Sequence, residues 1–169
     1  MRLVAIVILA CAALQAAPAG GKEALARFAG TWKGTGEFQE TAYSHKGTTN
    51  GTTICQWSAM HAFLVCDQEH TGPEGTGRDL SVYTYDDGKH EYRFFNLGQD
   101  GHHSTTKLTV TADQVIYETD NPDKTKKLLF RTINKWESPD RYTYRAEFTT
   151  DGGASWTIMI SGVSTRVKN

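Results

Sequence analysis

Apolar and polar positions alternate along most of this chain, the two-residue period of a β-strand with one buried face. From Thr31 to Glu40 the recurring face reads Trp32, Gly34, Gly36 and Phe38, and its two glycines suit a strand that bends at a sheet corner. Thr53 to Trp57 and Phe63 to Asp67 predict a hairpin turning near Met60-His61. Leu80 to Tyr85 and His90 to Leu97 flank Asp86-Asp87-Gly88-Lys89, a second hairpin signal with glycine at a left-handed position. Further strands are predicted over Ser104–Thr111, Gln114–Thr119, Lys127–Trp136, Arg141–Phe148 and Ser155–Arg166. Thr111-Ala112-Asp113, Asn121-Pro122-Asp123, Ser138-Pro139-Asp140 and Asp151-Gly152-Gly153 supply the turns. Helical spacing occurs over Lys22 to Ala29, where Leu25, Phe28 and Ala29 share a face. The pattern holds no β-α-β unit, repeat or linker. The expected fold is all-β: about ten antiparallel strands in an up-and-down β-barrel with a short N-terminal helix.

The first residues follow a different pattern. Arg2 precedes an apolar run from Leu3 to Leu14, and Ala17-Pro18-Ala19 offers the small residues a signal peptidase accepts. The run is too short for a bilayer span, which needs roughly 20 residues. Residues 1–19 are therefore expected to be a cleaved signal peptide, with Ala16 as a second possible cleavage point, and residues 20–169 a single barrel domain. A rival arrangement lipidates Cys11 within Ile8-Leu9-Ala10-Cys11 and tethers the protein. The expected location is periplasmic or extracellular. Removing Arg2 changes the formal net charge from −1 to −2, a balance without the electrostatic footprint of a nucleic-acid or anionic-membrane partner. No integral membrane span is expected.

Cysteine usage agrees with export. Of three cysteines, Cys11 lies in the signal, leaving Cys55 and Cys66 as an even pair in an oxidising compartment. A turn centred between Met60 and His61 places Cys55 opposite Cys66 and Trp57 opposite Leu64, within bridging reach, so a disulfide is expected. Redox catalysis is disfavoured: the pair is not Cys-x-x-Cys, and no adjacent base lowers a thiol pKa.

Candidate chemistry is sparse. Asp100-Gly101-His102-His103 is the densest metal-like cluster, but neighbouring strand residues point to opposite faces and the glycine favours a surface turn. Gly72-Pro73-Glu74-Gly75-Thr76-Gly77 is a loop with no helix after it to cradle phosphate. Asp86-Asp87 is accounted for by its turn. No Gly-x-Ser-x-Gly elbow or triad order is present, and Asn50-Gly51-Thr52 fits a glycosylation sequon. No metal, cofactor or catalytic residue is assigned, and an enzyme is disfavoured. The interior face is expected to be rich in aromatics and hydroxyls. Either Tyr83 and Tyr85 or Leu80, Val82 and Thr84 would point inward, with Tyr92 and Phe94, Tyr142 and Tyr144, and Trp156, Ile158 and Ile160 from other strands. Tyr83, Tyr85, His90, Tyr92, Phe94, Tyr142 and Tyr144 are the candidate ligand-binding residues.

Four features in order carry a resemblance: Gly30-Thr31-Trp32-Lys33-Gly34; Cys55-Gln56-Trp57 with Phe63-Leu64-Val65-Cys66; Gly72-Pro73 through Tyr83 and Tyr85; and Asp151-Gly152-Gly153 through Trp156 and Arg166. Together they resemble the family called domain of unknown function 1579, over nearly the whole mature chain. The resemblance implies a calycin-like, lipocalin-like barrel in which Gly30 and Trp32 on the first strand lie beneath Arg166 from the last, closing one end. Met60-His61-Ala62 departs from the glycine-rich turn expected there. The opening segment also resembles nitrobindin-type haem barrels, which ligate iron through a histidine in their C-terminal strands. Here the last histidine is His103, so His90 or His103 would have to substitute.

The function these features imply is an exported barrel that binds a small apolar or amphipathic molecule. The alternatives are a hydrolase-like or other enzyme using a cavity histidine, and a filled barrel serving as a structural or interaction module.

Overall fold

The computed structural model describes residues 20–119, 125 and 127–168. The predicted signal segment and the Asn121-Pro122-Asp123 turn lie outside the described residues. A 3-10 helix, Gly21–Phe28, precedes ten strands: β1 (Gly30–Phe38), β2 (Gly47–Trp57), β3 (Phe63–Gly72), β4 (Gly75–Asp86), β5 (Glu91–Gly98), β6 (His103–Val110), β7 (Gln114–Thr119), β8 (Leu129–Ser138), β9 (Arg141–Thr149) and β10 (Thr157–Arg166). Each strand pairs with its neighbours in sequence, and β1 pairs with β10 to close an antiparallel barrel. Closure leaves no free sheet edge and creates an interior.

The cysteine hairpin has the expected register. Cys55 pairs with Cys66 and Trp57 with Leu64, and a disulfide joins the two buried cysteines. His61 takes the left-handed place (φ 52°) where glycine was expected. Its ring stacks on Trp57 at 6.1 Å, a contact that offsets part of the backbone strain.

Alternation fixes one inward set around the barrel. Trp32, Gly34, Gly36 and Phe38 face in from β1, and the pairing of Tyr83 with Phe94 and of Tyr85 with Tyr92 places Tyr83 and Tyr85, not Leu80, Val82 and Thr84, on that face. Tyr144 crosses the glycines of the β1–β10 seam: a Cβ added at Gly36 or Gly162 would fall 2.5 Å from its hydroxyl oxygen. The phenol thus occupies space that side chains there would fill.

The expected inward run Trp156, Ile158 and Ile160 is corrected in part. A bulge between Ile158 and Ile160 sets Ile158 opposite Glu147 and Ile160 opposite Ala146, so the two isoleucines face opposite ways. Ile158 is exposed. Trp156 lies before the strand and stacks on the outer guanidinium of Arg131 at 3.8 Å. The preceding turn is held by its own polar groups: Asp151 accepts bonds from Ser155 Oγ (2.6 Å), Ser155 N (3.0 Å) and Thr149 Oγ1 (2.6 Å). These donors hold its carboxyl below the usual carboxylate range.

Candidate ligand cavity

One end of the barrel is shut by the helix. Three residues per turn places Leu25 and Phe28 one above the other, and both are buried. Phe28 stacks on Tyr83 at 4.7 Å and meets Trp136 edge-on at 5.0 Å, while its carbonyl accepts the Trp32 indole N–H at 2.8 Å. Arg166 fastens this end. Its guanidinium lies 4.3 Å over the Trp32 ring and donates to the carbonyls of Ala29, Arg27 and Pro139. Cations at a helix C-terminus are favoured by the exposed carbonyls there. Gly30 has a positive φ of 108°, and a Cβ on it would sit 2.8 Å from the Arg166 Nη1. A side chain at this position would strain the backbone and crowd the guanidinium.

Beyond that floor lies a cavity of about 450 Å³, within the size range of small-molecule sites. Tyr83, Phe94, Tyr117, Asn134, Tyr142 and Tyr144 line its deeper part. Phe94 packs against Tyr83 at 4.9 Å and edge-on to Tyr117 at 5.1 Å. The Tyr83 and Tyr117 hydroxyls hydrogen-bond at 2.8 Å, and Asn134 Nδ2 donates to Tyr117 at 3.3 Å. Burial raises the pKa of Tyr83, Tyr117, Tyr142 and Tyr144, so all four phenols stay protonated at neutral pH.

The opposite end carries the rim. Phe38, Phe130, Ile160 and His70 line the cavity there. The β1–β2 loop leans across this rim through Tyr43, whose ring meets Phe130 at 5.4 Å and Phe148 at 4.7 Å. His70 Nδ1 lies 3.6 Å from Asp79 Oδ2, and its ring rests where a Gly77 Cβ would be. Among the described residues its Nδ1 makes no hydrogen bond, so the pair lacks the bond by which a carboxylate orients the histidine of a catalytic triad.

The candidate residues separate by height along the barrel axis. Tyr83, Phe94, Tyr142 and Tyr144 border the cavity. Tyr85, Tyr92 and His90 gather at the closed end: Tyr92 donates to the Gly21 carbonyl at 2.9 Å, its ring is 4.6 Å from that of Tyr85, and the Tyr85 hydroxyl bonds His90 Nδ1 at 3.0 Å. Neither histidine left for haem iron reaches the cavity, because His90 is exposed at that end and His103 pairs with the outward Leu97. The side chains present do not fit haem ligation by that route. Among the described residues, no three His, Cys, Asp or Glu side chains group to hold a metal ion.

A second concavity of about 1020 Å³ lies on the outer surface of β1, β2 and β7 to β10, where Thr35, Glu37, Lys135, Thr143, Arg145 and Ser161 line it. Tyr144 is its one aromatic lining residue, whereas Phe28, Trp32, Tyr83, Phe94, Tyr117 and Tyr142 wall the interior cavity.

Compared with protein families, residues 17–166 match the one described as Protein of unknown function (DUF1579). The chain belongs to the DUF1579 family. Two solved structures share the fold of this DUF1579 protein. The S-type phycobiliprotein lyase CPES from Guillardia theta superposes with a TM-score of 0.58 at 12% identity, covering 85% of this chain and 90% of that one. Rv2717c from M. tuberculosis gives 0.58 at 13% identity, covering 86% and 96%. Likeness at these identities shows the barrel architecture. Comparison with curated proteins gives no match. Among the described residues of the DUF1579 chain, no helix is long and apolar enough to cross a membrane.

Tyr117, Asn134 and His70 are among the cavity residues absent from the candidate set. Their signal was parity: Tyr117 pairs with Leu108, which pairs with Tyr92, so the three share the interior face.

Proposed function

We propose that this protein is an exported barrel that binds a small apolar or amphipathic molecule inside its cavity. The observation that carries this reading is the aromatic-walled space of about 450 Å³ between a packed floor and an open rim. Apolar walls supply the driving force at roughly 25 cal/mol per Å² buried, and a few hydroxyls set orientation. The likeness to a phycobiliprotein lyase in fold is consistent with a ligand-holding role but names no ligand for this chain. Export is supported by the N-terminal pattern and by the disulfide, which suits an oxidising compartment.

The test is titration with 1-anilinonaphthalene-8-sulfonate, followed by dye emission, on the native protein and on Thr132→Trp, which puts an indole into the cavity. Saturable binding to the native protein and its loss in a folded Thr132→Trp variant are expected. Equal binding by both would place the dye outside the barrel and overturn the reading.

A further inference from the structure

The deep end of the cavity holds an unbalanced hydrogen-bond set. Tyr83 and Tyr117 carry one O–H proton each, and their oxygens are 2.8 Å apart, so one proton lies between them. Asn134 donates to the Tyr117 oxygen and takes up acceptor capacity there without receiving a proton from it. Whichever hydroxyl donates within the pair, the other keeps a proton for which the described residues give no acceptor. A buried donor without an acceptor costs about 1–3 kcal/mol. The couple borders the cavity, so a guest can supply the missing oxygen.

Charge limits what that oxygen belongs to. Arg131 stacks outward on Trp156 and bonds Glu147 at 2.7 Å, and Arg166 is engaged below the floor. Among the described residues, no cation therefore stands at the tyrosine pair to balance a carboxylate, and no acid stands there to balance an amine. An ionised group at that depth would be desolvated without compensation. Of the basic residues in the lining, His70 sits at the rim, and Arg131 is drawn outward by Trp156 and Glu147.

We infer that the guest is an uncharged apolar molecule that enters with a carbonyl-type oxygen foremost, and that this oxygen accepts the spare proton of the Tyr83–Tyr117 hydroxyl couple. The inference rests on the binding-barrel reading and goes beyond it by naming the polar group and its orientation. It has a consequence for mutation. Tyr83→Phe or Tyr117→Phe alone leaves one proton free for the guest, whereas the double substitution removes both.

The experiment compares 9-fluorenone with fluorene, which match in shape and differ in the carbonyl. Affinities for both probes are measured by quenching of protein fluorescence, on the native protein, the two single variants and the double variant. The fluorenone-to-fluorene affinity ratio is expected to fall about tenfold in the double variant, and by much less in either single variant. The carbonyl stretch of bound fluorenone should lie at lower wavenumber on the native protein than in cyclohexane, which decides the matter even if the double variant does not fold. Binding of both probes with an unchanged ratio, or an unshifted stretch, would overturn the hydroxyl assignment while leaving the binding barrel standing. Binding of neither probe would remove the binding-barrel reading and this inference with it.

Discussion

Replacing Arg166 with methionine keeps an apolar stem over the Trp32 ring and deletes every polar bond that the guanidinium makes at the closed end. The guanidinium donates to the Ala29 carbonyl, to Arg27 O at 3.0 Å and to Pro139 O at 3.1 Å, and its Nε pairs with Asp140 at 3.1 Å. The Asp140 side chain is 44% exposed, so that ion pair is screened and contributes about 0–1 kcal/mol. Stacking over a buried indole adds about 1–2 kcal/mol, and the three carbonyl bonds about 1 kcal/mol each. Water can reach the exposed Pro139 carbonyl and replace part of its bond, which leaves an expected loss of about 3–5 kcal/mol. That is a large share of the roughly 5–15 kcal/mol by which a domain is stable. Arg166→Lys keeps the charge but not the planar fork, and should cost about half as much. Urea unfolding followed by tryptophan fluorescence, with midpoint and slope fitted separately, gives the numbers. A methionine variant within about 1 kcal/mol of the native protein would show that the guanidinium does not fasten the barrel.

Three further outcomes are expected. Reducing the Cys55–Cys66 bond, or replacing both cysteines with serine, should lower stability by about 3 kcal/mol in the chain-entropy account; an unchanged urea midpoint under reductant would contradict it. Gly162→Ala puts a methyl against the Thr35 carbonyl and 2.5 Å from Tyr144, and should cost about 1–3 kcal/mol by overpacking. A neutral result would mean that the seam can open. Asp151 has its folded pKa depressed from 3.8 by Ser155 and Thr149, so its contribution is present above that value and is lost as pH falls below about 4 towards the folded pKa. Melting curves of native protein and Asp151→Asn should therefore converge as pH falls through that window, and parallel acid losses would refute the role given to the carboxyl.

Strand count and the cysteine register were legible because each depends on short-range pattern, whereas closure joins β1 to β10 across the whole domain and was expected from the family resemblance. A tight hairpin ties Cys55 to Cys66 through a few residues, and alternation assigns faces without reference to anything distant. Depth along the barrel axis was not legible. Tyr83 and Tyr85 share a face and a strand, yet Tyr83 borders the cavity and Tyr85 packs with Tyr92 beneath the helix. Alternation reports in or out, and only the shear of the closed sheet and the docking of the helix decide height. Trp156 and Ile158 were misplaced for a different reason: one extra residue at Met159 reverses parity, and a bulge leaves no compositional mark on an isoleucine-rich strand. Tyr117 was hidden in the short strand Gln114–Thr119, whose interior face became evident only through its pairing with β6.

The most direct measurement is native mass spectrometry of the protein purified from its own host under conditions that preserve non-covalent complexes. A guest of the size that about 450 Å³ can hold should remain attached, and be released when the protein is denatured in acid. A mass equal to the processed chain with its disulfide and nothing more, from protein that also fails to take up apolar probes, would contradict the account.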